Sequence, residues 1–197
     1  MLSEKIGYIA VLIQLIGVSF YIRDMLRGNT KPNLVSWVVW ALAPLIGSWL
    51  SVKAGAGLSV LPVFMAGFNP ILVIIIAFVI KKGYWKITKF DIYCGVLAIF
   101  ALFLWFLTNN FALSILFAII SDLLASIPTI VKSWNYPDTE TSATYFGGII
   151  ANIVGLLIIK NWIFSIYALG LYFIVVNIII VFAIYHKKML YFSHVKK

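Results

Sequence analysis

Residues 58–80 read LSVLPVFMAGFNPILVIIIAFVI, twenty-three positions without a charge. A helix rises about 1.5 Å per residue, so this run is long enough to cross the roughly 30 Å hydrocarbon core of a bilayer. Lipid offers the backbone no hydrogen bonds, and only helices and closed barrels satisfy their own. Similar runs occupy 6–22, 34–52, 91–107, 111–131, 142–159 and 163–185, too long and too evenly apolar for the alternating strands of a barrel. The expected fold is therefore an all-α integral membrane protein with seven transmembrane helices and the lipid bilayer as solvent.

Composition agrees. Hydrophobic residues make up 63% of the 197 positions and charged residues 11%, against about a quarter charged in soluble domains. The first run lacks a small-residue cleavage site, so it reads as a retained helix. A net charge of +9 points here to membrane orientation and not to nucleic acid, because the charges sit between the runs. With seven spans, one side carries Arg23, Arg27, Lys31, Lys81, Lys82, Lys86, Lys89, Lys132, Lys187, Lys188, Lys196 and Lys197, and the other only Lys5, Lys53 and Lys160. This twelve-to-three split predicts a cell-membrane protein with its C-terminus cytoplasmic and its N-terminus outside.

Sliding the chain by 108 residues superposes spans 1–3 on spans 5–7 without a gap and leaves span 4 unpaired. Identities include Ala43/Ala151, Gly47/Gly155 and Asn69/Asn177, and polar residues fall together as Gln14/Asp122 and Ser36/Thr144, with Trp37 on Tyr145. One intervening helix makes both triplets cross in the same direction, as parallel repeats. The chain divides into a first three-helix bundle (1–82), a linker helix (83–109), a second bundle (110–190) and a cytoplasmic tail (191–197), all within one membrane domain.

This three-plus-one-plus-three plan resembles the SWEET sugar transporters and the wider PQ-loop superfamily. In SWEETs an asparagine on the third helix of each bundle lines the sugar pocket, which Asn69 and Asn177 match, and an aromatic on the second helix contributes, for which Trp37 or Trp40 and Tyr145 are similar candidates. The proline–glutamine pair of the superfamily is replaced by Phe20-Tyr21 and Pro128-Thr129. Nicotinamide riboside transporters share the helix plan, so the resemblance leaves the solute open.

Asp122 lies mid-way along its run, where a charged, lipid-facing carboxylate costs several kcal/mol; it must face the interior or a cavity. Ser114, Ala118, Ala125, Ser126 and Thr129 share its helix face. A lone acid at that depth is a candidate proton-coupling group, and the lysosomal cystine exporter resembles this in using a helix-5 acid; Gln14 is its counterpart in the first repeat. Asn69 is equally central in its span, and its carboxamide with that of Asn177 offers donors and acceptors to a small polar solute. Asn152, between Gly148 and Gly155, reads as a packing residue. Pro44, Pro62, Pro70 and Pro128 interrupt spans and can bend them.

Enzyme classes lack their parts. His186 and His194 lie in the C-terminal region, away from any mid-membrane serine, and supply no histidine metal site. Glu4, Asp24, Asp91, Asp138 and Glu140 lie near or beyond span ends, which leaves Asp122 without a second buried acid for an aspartyl protease. No phosphate-binding glycine loop or metal-spaced cysteine set occurs, and Cys94 is single. The reading is a non-enzymatic, cofactor-free transporter of a small sugar-like or related solute by alternating access, with Asp122 carrying a proton where transport is coupled; uniport stays open. The alternative is a receptor or scaffold, as the KDEL receptor resembles SWEETs without transporting. The oligomeric state, including a homo-oligomer, stays open.

Overall fold

The structure, a computed structural model, describes residues 3–81, 84–108 and 110–195, with the backbone alone over 188–195. Lys82, Lys196 and Lys197 of the charge count, and positions 83 and 109 that bound the expected linker, lie outside the described residues. Seven α-helices follow one another: α1 (Gly7–Leu26), α2 (Leu34–Lys53), α3 (Leu61–Ile80), α4 (Lys89–Phe106), α5 (Phe111–Asn135), α6 (Ala143–Leu157) and α7 (Phe164–Val195), with single 3₁₀ turns before α1, α3 and α6 and no strand among the described residues. Six are long and apolar enough to cross a membrane, whereas α6, at 15 residues, is shorter.

The boundaries follow local chemistry. The Asn33 side chain accepts from Val35 N at 3.2 Å to start α2, and Asn110 accepts from Ala112 and Leu113 to start α5. Thr88 and Asp91 form a reciprocal capping box on α4. Gly28 and Gly55, at φ +77° and +91°, turn the chain after α1 and α2. Pro62 occupies the first turn of α3, where the missing N–H costs nothing, so it does not interrupt a span; Pro44, Pro70 and Pro128 do stand inside helices. The α1 and α5 helices run on past the apolar runs to Leu26 and Asn135.

Exposed positions on the helices are mostly Leu, Ile, Val, Phe, Tyr and Trp, while Gln14, Ser36, Asn69, Ser121, Asp122, Ser126, Thr129 and Asn152 are buried. This inverts the pattern of a water-soluble protein and suits a multi-pass membrane protein. In packing order, α3 touches both α1 and α2, and α7 touches both α5 and α6; α1 lies along α6, α2 along α5, and α4 along α5 and part of α2. The α1–α6 approach is close because Gly17 and Gly147 face each other: a Cβ on Gly17 would come within 2.9 Å of Ala143 O, and one on Gly147 within 3.6 Å of Gly17 Cα.

The connections sort to two ends. Lys31 N donates to Thr139 O at 3.0 Å and Trp85 N to Pro32 O at 2.9 Å, which joins the α1–α2, α3–α4 and α5–α6 connections. At the opposite end Glu4 pairs with Lys160, and Gly7 packs on Leu58 and Ile158.

Candidate functional site

Buried polar side chains cluster where α1, α2, α3, α5, α6 and α7 come together. There a cavity of about 70 Å³ is lined by all six candidate residues: Gln14, Trp37, Asn69, Asp122, Tyr145 and Asn177. Thr144, the partner of Ser36 in the repeat, and Trp40 and Asn152 also line it. A water needs roughly 10–15 Å³ on this measure, so the space admits a few waters; ligand pockets span roughly 300–1,000 Å³.

The polar residues of α1 and α3 are tied together. Gln14 Nε2 donates to Pro62 O at 2.8 Å, and Asn69 Nδ2 reaches Gln14 O at 3.5 Å and Gln14 Oε1 at 3.4 Å. The residues 108 positions later are bonded differently. The Tyr172 hydroxyl, one turn and a half before Asn177 on α7, donates to Asp122 Oδ2 at 2.7 Å, and Ser126 Oγ bonds Asp122 O at 2.8 Å. Asn177 packs instead against Gly148, where a Cβ would fall 2.7 Å from its Nδ2. Trp40 Nε1 donates to Ser126 Oγ at 3.1 Å, and Thr129 Oγ1 to Ser36 Oγ at 2.8 Å, which fastens α2 to α5 beside the acid.

Aromatic rings form one wall. Tyr21, Trp37, Trp40 and Tyr145 follow one another with centroids 4.8, 5.4 and 6.4 Å apart, linking α1, α2 and α6. Proline has no N–H, so Pro44 and Pro70 leave the carbonyls of Trp40 and Ala66 without their helical donors, and Trp40, Ala66 and Pro70 all line the cavity.

Two ionised side chains that composition placed in a connection are buried below this wall. Lys132 and Glu140 form an ion pair with side chains 1% and 0% exposed. Lys132 Nζ also donates to Lys31 O at 2.5 Å and lies 5.8 Å from the Trp85 ring centroid, and Glu140 Oε1 accepts from the Tyr145 hydroxyl at 2.8 Å. Tyr145 therefore spans from the cavity to the ion pair. Asn152 Nδ2 bonds Gly148 O at 2.8 Å within α6; its Oδ1, like Asn69 Oδ1 and Asp122 Oδ1, is buried without a protein partner. Among the described residues no three of His, Cys, Asp and Glu are grouped to hold a metal.

Ten residues separate Asp122 from Lys132 on α5, about 15 Å along the axis. Acid, cavity and ion pair thus lie in series from mid-helix towards the end where the α1–α2 and α5–α6 connections meet. Comparison with protein-family models, with curated proteins and with solved structures finds no match to this chain.

Proposed function

We propose that this protein is a seven-span transporter of a small polar solute, working by alternating access in the cell membrane with its N-terminus outside and its C-terminus cytoplasmic. The observation that carries the reading is the convergence of three repeat-related pairs, Gln14/Asp122, Trp37/Tyr145 and Asn69/Asn177, on one buried cavity. Polar side chains at membrane depth are costly, and three pairs gathered around a space with unpartnered oxygens mark a solute path.

The packing order supports two three-helix bundles, α1–α3–α2 and α5–α7–α6, arranged as SWEET-like parallel repeats around the cavity with α4 as linker. A solute of sugar size needs more than about 70 Å³, so the bundles must separate to admit it. The Lys132–Glu140 pair and the joined connections around it close the cavity on the side assigned to the cytoplasm. Asp122, held by Tyr172 from α7, couples solute movement to a proton. Glycine contacts between α1 and α6 provide a smooth surface on which one bundle rocks against the other.

Counterflow of labelled solute in proteoliposomes is the test. Exchange across a sealed membrane supports transport; saturable binding without exchange replaces it with a receptor.

A further inference from the structure

We infer that the solute accepted by this cavity is an organic cation bearing a protonated primary amine, and that it exchanges for a proton on Asp122; this rests on the reading of the cavity as the solute site. Several polar atoms of the wall are already spent. Gln14 Nε2 faces Pro62 O, Asn69 Nδ2 faces Gln14 O, and Asn152 Nδ2 faces Gly148 O. Backbone carbonyls only accept, so these contacts fix which end of each carboxamide is nitrogen.

What remains fully buried is mostly oxygen, beside the half-buried Asn177 carboxamide, which keeps both donor and acceptor. Asn69 Oδ1, Asn152 Oδ1 and Asp122 Oδ1 are buried without a protein partner, on residues 5%, 1% and 1% exposed, and all three residues line the cavity. The corresponding unspent donor among the buried side-chain atoms of lining residues is Trp37 Nε1. Three buried acceptors, one of them a carboxylate oxygen, suit a solute group made of donors, and an alkylammonium has three N–H groups and no acceptor.

The apolar wall agrees. Trp37, Trp40, Tyr145 and Phe173 line the cavity, and aromatic faces attract an ammonium held within about 6 Å. No Lys, Arg or His is among the lining residues, and Lys132 is engaged by Glu140. A carboxylate or phosphate on the solute would find no counter-charge, which separates simple amines and amino sugars from amino acids and sugar phosphates.

Exchange follows from the single acid. Protonated Asp122 is neutral; when R–NH₃⁺ enters, the carboxyl proton leaves to water and the ammonium pairs with the carboxylate, so one positive charge replaces another. The groups facing Asp122 do not supply a rival charge. From α7 comes the Tyr172 phenol and from α6 the Tyr145 phenol; α2 brings Trp37 and Trp40, α1 and α3 bring Gln14 and Asn69, and α4 lines none of the cavity.

Matched solutes test this on the purified full chain. Glucosamine against glucose, and ethanolamine against ethylene glycol, each differ by an amine in place of a hydroxyl. Isothermal titration in detergent should show each amine binding at least tenfold more tightly than its neutral partner. Ethanolamine should release a proton into weak buffer, and its affinity should fall by up to tenfold per pH unit on the acid side. Asp122→Asn should abolish the preference and the proton release; Asn152→Leu, which leaves the acid in place, should weaken amine binding several-fold. Equal binding within each pair, or pH-independent amine binding without proton release, overturns the cation assignment while leaving a neutral-solute transporter standing. Silence from all four probes also overturns it, and the transporter reading then depends on flux alone.

Discussion

Removing the Lys132 ammonium by Lys132→Met leaves a carboxylate on Glu140 whose side chain is 0% exposed. Methionine fills much of the same space, so the change tests charge more than volume. Glu140 keeps one partner, the Tyr145 hydroxyl at 2.8 Å, and Lys31 O loses the donor at 2.5 Å. Breaking a buried pair by removing one member costs about 3–5 kcal/mol, and at roughly 2–4 °C per kcal/mol for a chain of this size the melting temperature should fall by roughly 6–20 °C. Glu140→Leu should cost a similar amount by stranding the ammonium. The double variant Lys132→Met/Glu140→Leu removes both charges and strands only the Tyr145 hydroxyl and the Lys31 carbonyl, since Thr139 O keeps its bond from Lys31 N, at about 1–3 kcal/mol for each unmade bond. Its cost should therefore fall below the sum of the singles by about 2 kcal/mol or more. Tryptophan fluorescence during heating in detergent reads all three. Single variants that each lose less than about 1 kcal/mol, with an additive double, would mean that the pair is hydrated. The closed end of the cavity would then need another explanation.

Asn177→Ala removes no hydrogen bond to a described residue and should leave the melting temperature within a few degrees while abolishing most solute binding; Asn69→Ala loses its bonds to Gln14 and should cost about 1 kcal/mol besides. If either variant binds as the parent does, that asparagine is a packing residue. Asp122→Asn should retain counterflow of a neutral solute, weaken that of an amine, and lose accumulation driven by a pH gradient; continued accumulation in proteoliposomes would move coupling elsewhere. Gly17→Ala places a Cβ 2.9 Å from backbone at Ala143 and should destabilise by about 1–3 kcal/mol, more than Gly47→Ala, whose nearest neighbour is the flexible tip of Leu169; the reverse order of melting temperatures would refute the α1–α6 argument. In a Cys94→Ser background, cysteines at Lys5 and Lys160 should label from outside and those at Lys86 and Asp138 only after permeabilisation; labelling of Asp138 and Lys160 from one side would remove α6 as a span.

The helices were legible because the bilayer imposes a crude rule, long apolar runs, that needs no tertiary information. Their ends were not. Arg23 to Leu26 and Lys132 to Asn135 are polar enough to look like connections, yet both continue a helix, since a helix leaving lipid need not stop where apolar residues do. That the three pairs gather around one cavity was legible for the same reason as the runs: a polar side chain in mid-run has nowhere to go but inward. Glu140 had no such signal. Its burial comes from chain segments more than a hundred residues away in sequence, where Thr141 Oγ1 donates to Asp24 Oδ2 at 3.0 Å and Lys31 N to Thr139 O at 3.0 Å. Asn152 was half legible, since the glycines around it do allow close packing, but the direction of its unspent oxygen depends on a bond made by the other end of the same amide.

The short α6 follows from the same accounting of backbone groups. Its 15 residues extend only about 22 Å, less than the roughly 30 Å of hydrocarbon, so a lone helix of this length would leave polar backbone in lipid. Its flanks are not exposed to lipid. Ile158 and Ile159, just past its C-terminus, are 3% and 7% exposed, and Glu140, just before it, is 8% exposed. Ile158 N still bonds Gly155 O at 3.3 Å and Ile159 N bonds Leu156 O at 3.3 Å, and Ser142 Oγ meets the Tyr185 hydroxyl at 2.9 Å. Non-helical backbone is tolerated at membrane depth where protein covers it, and here α1 runs alongside while α7, one of the longest helices, packs on the other side. In the proposed seven-span arrangement the neighbours supply the span that α6 lacks, so a helix too short to cross alone can carry Thr144, Tyr145, Gly148 and Asn152 to the cavity.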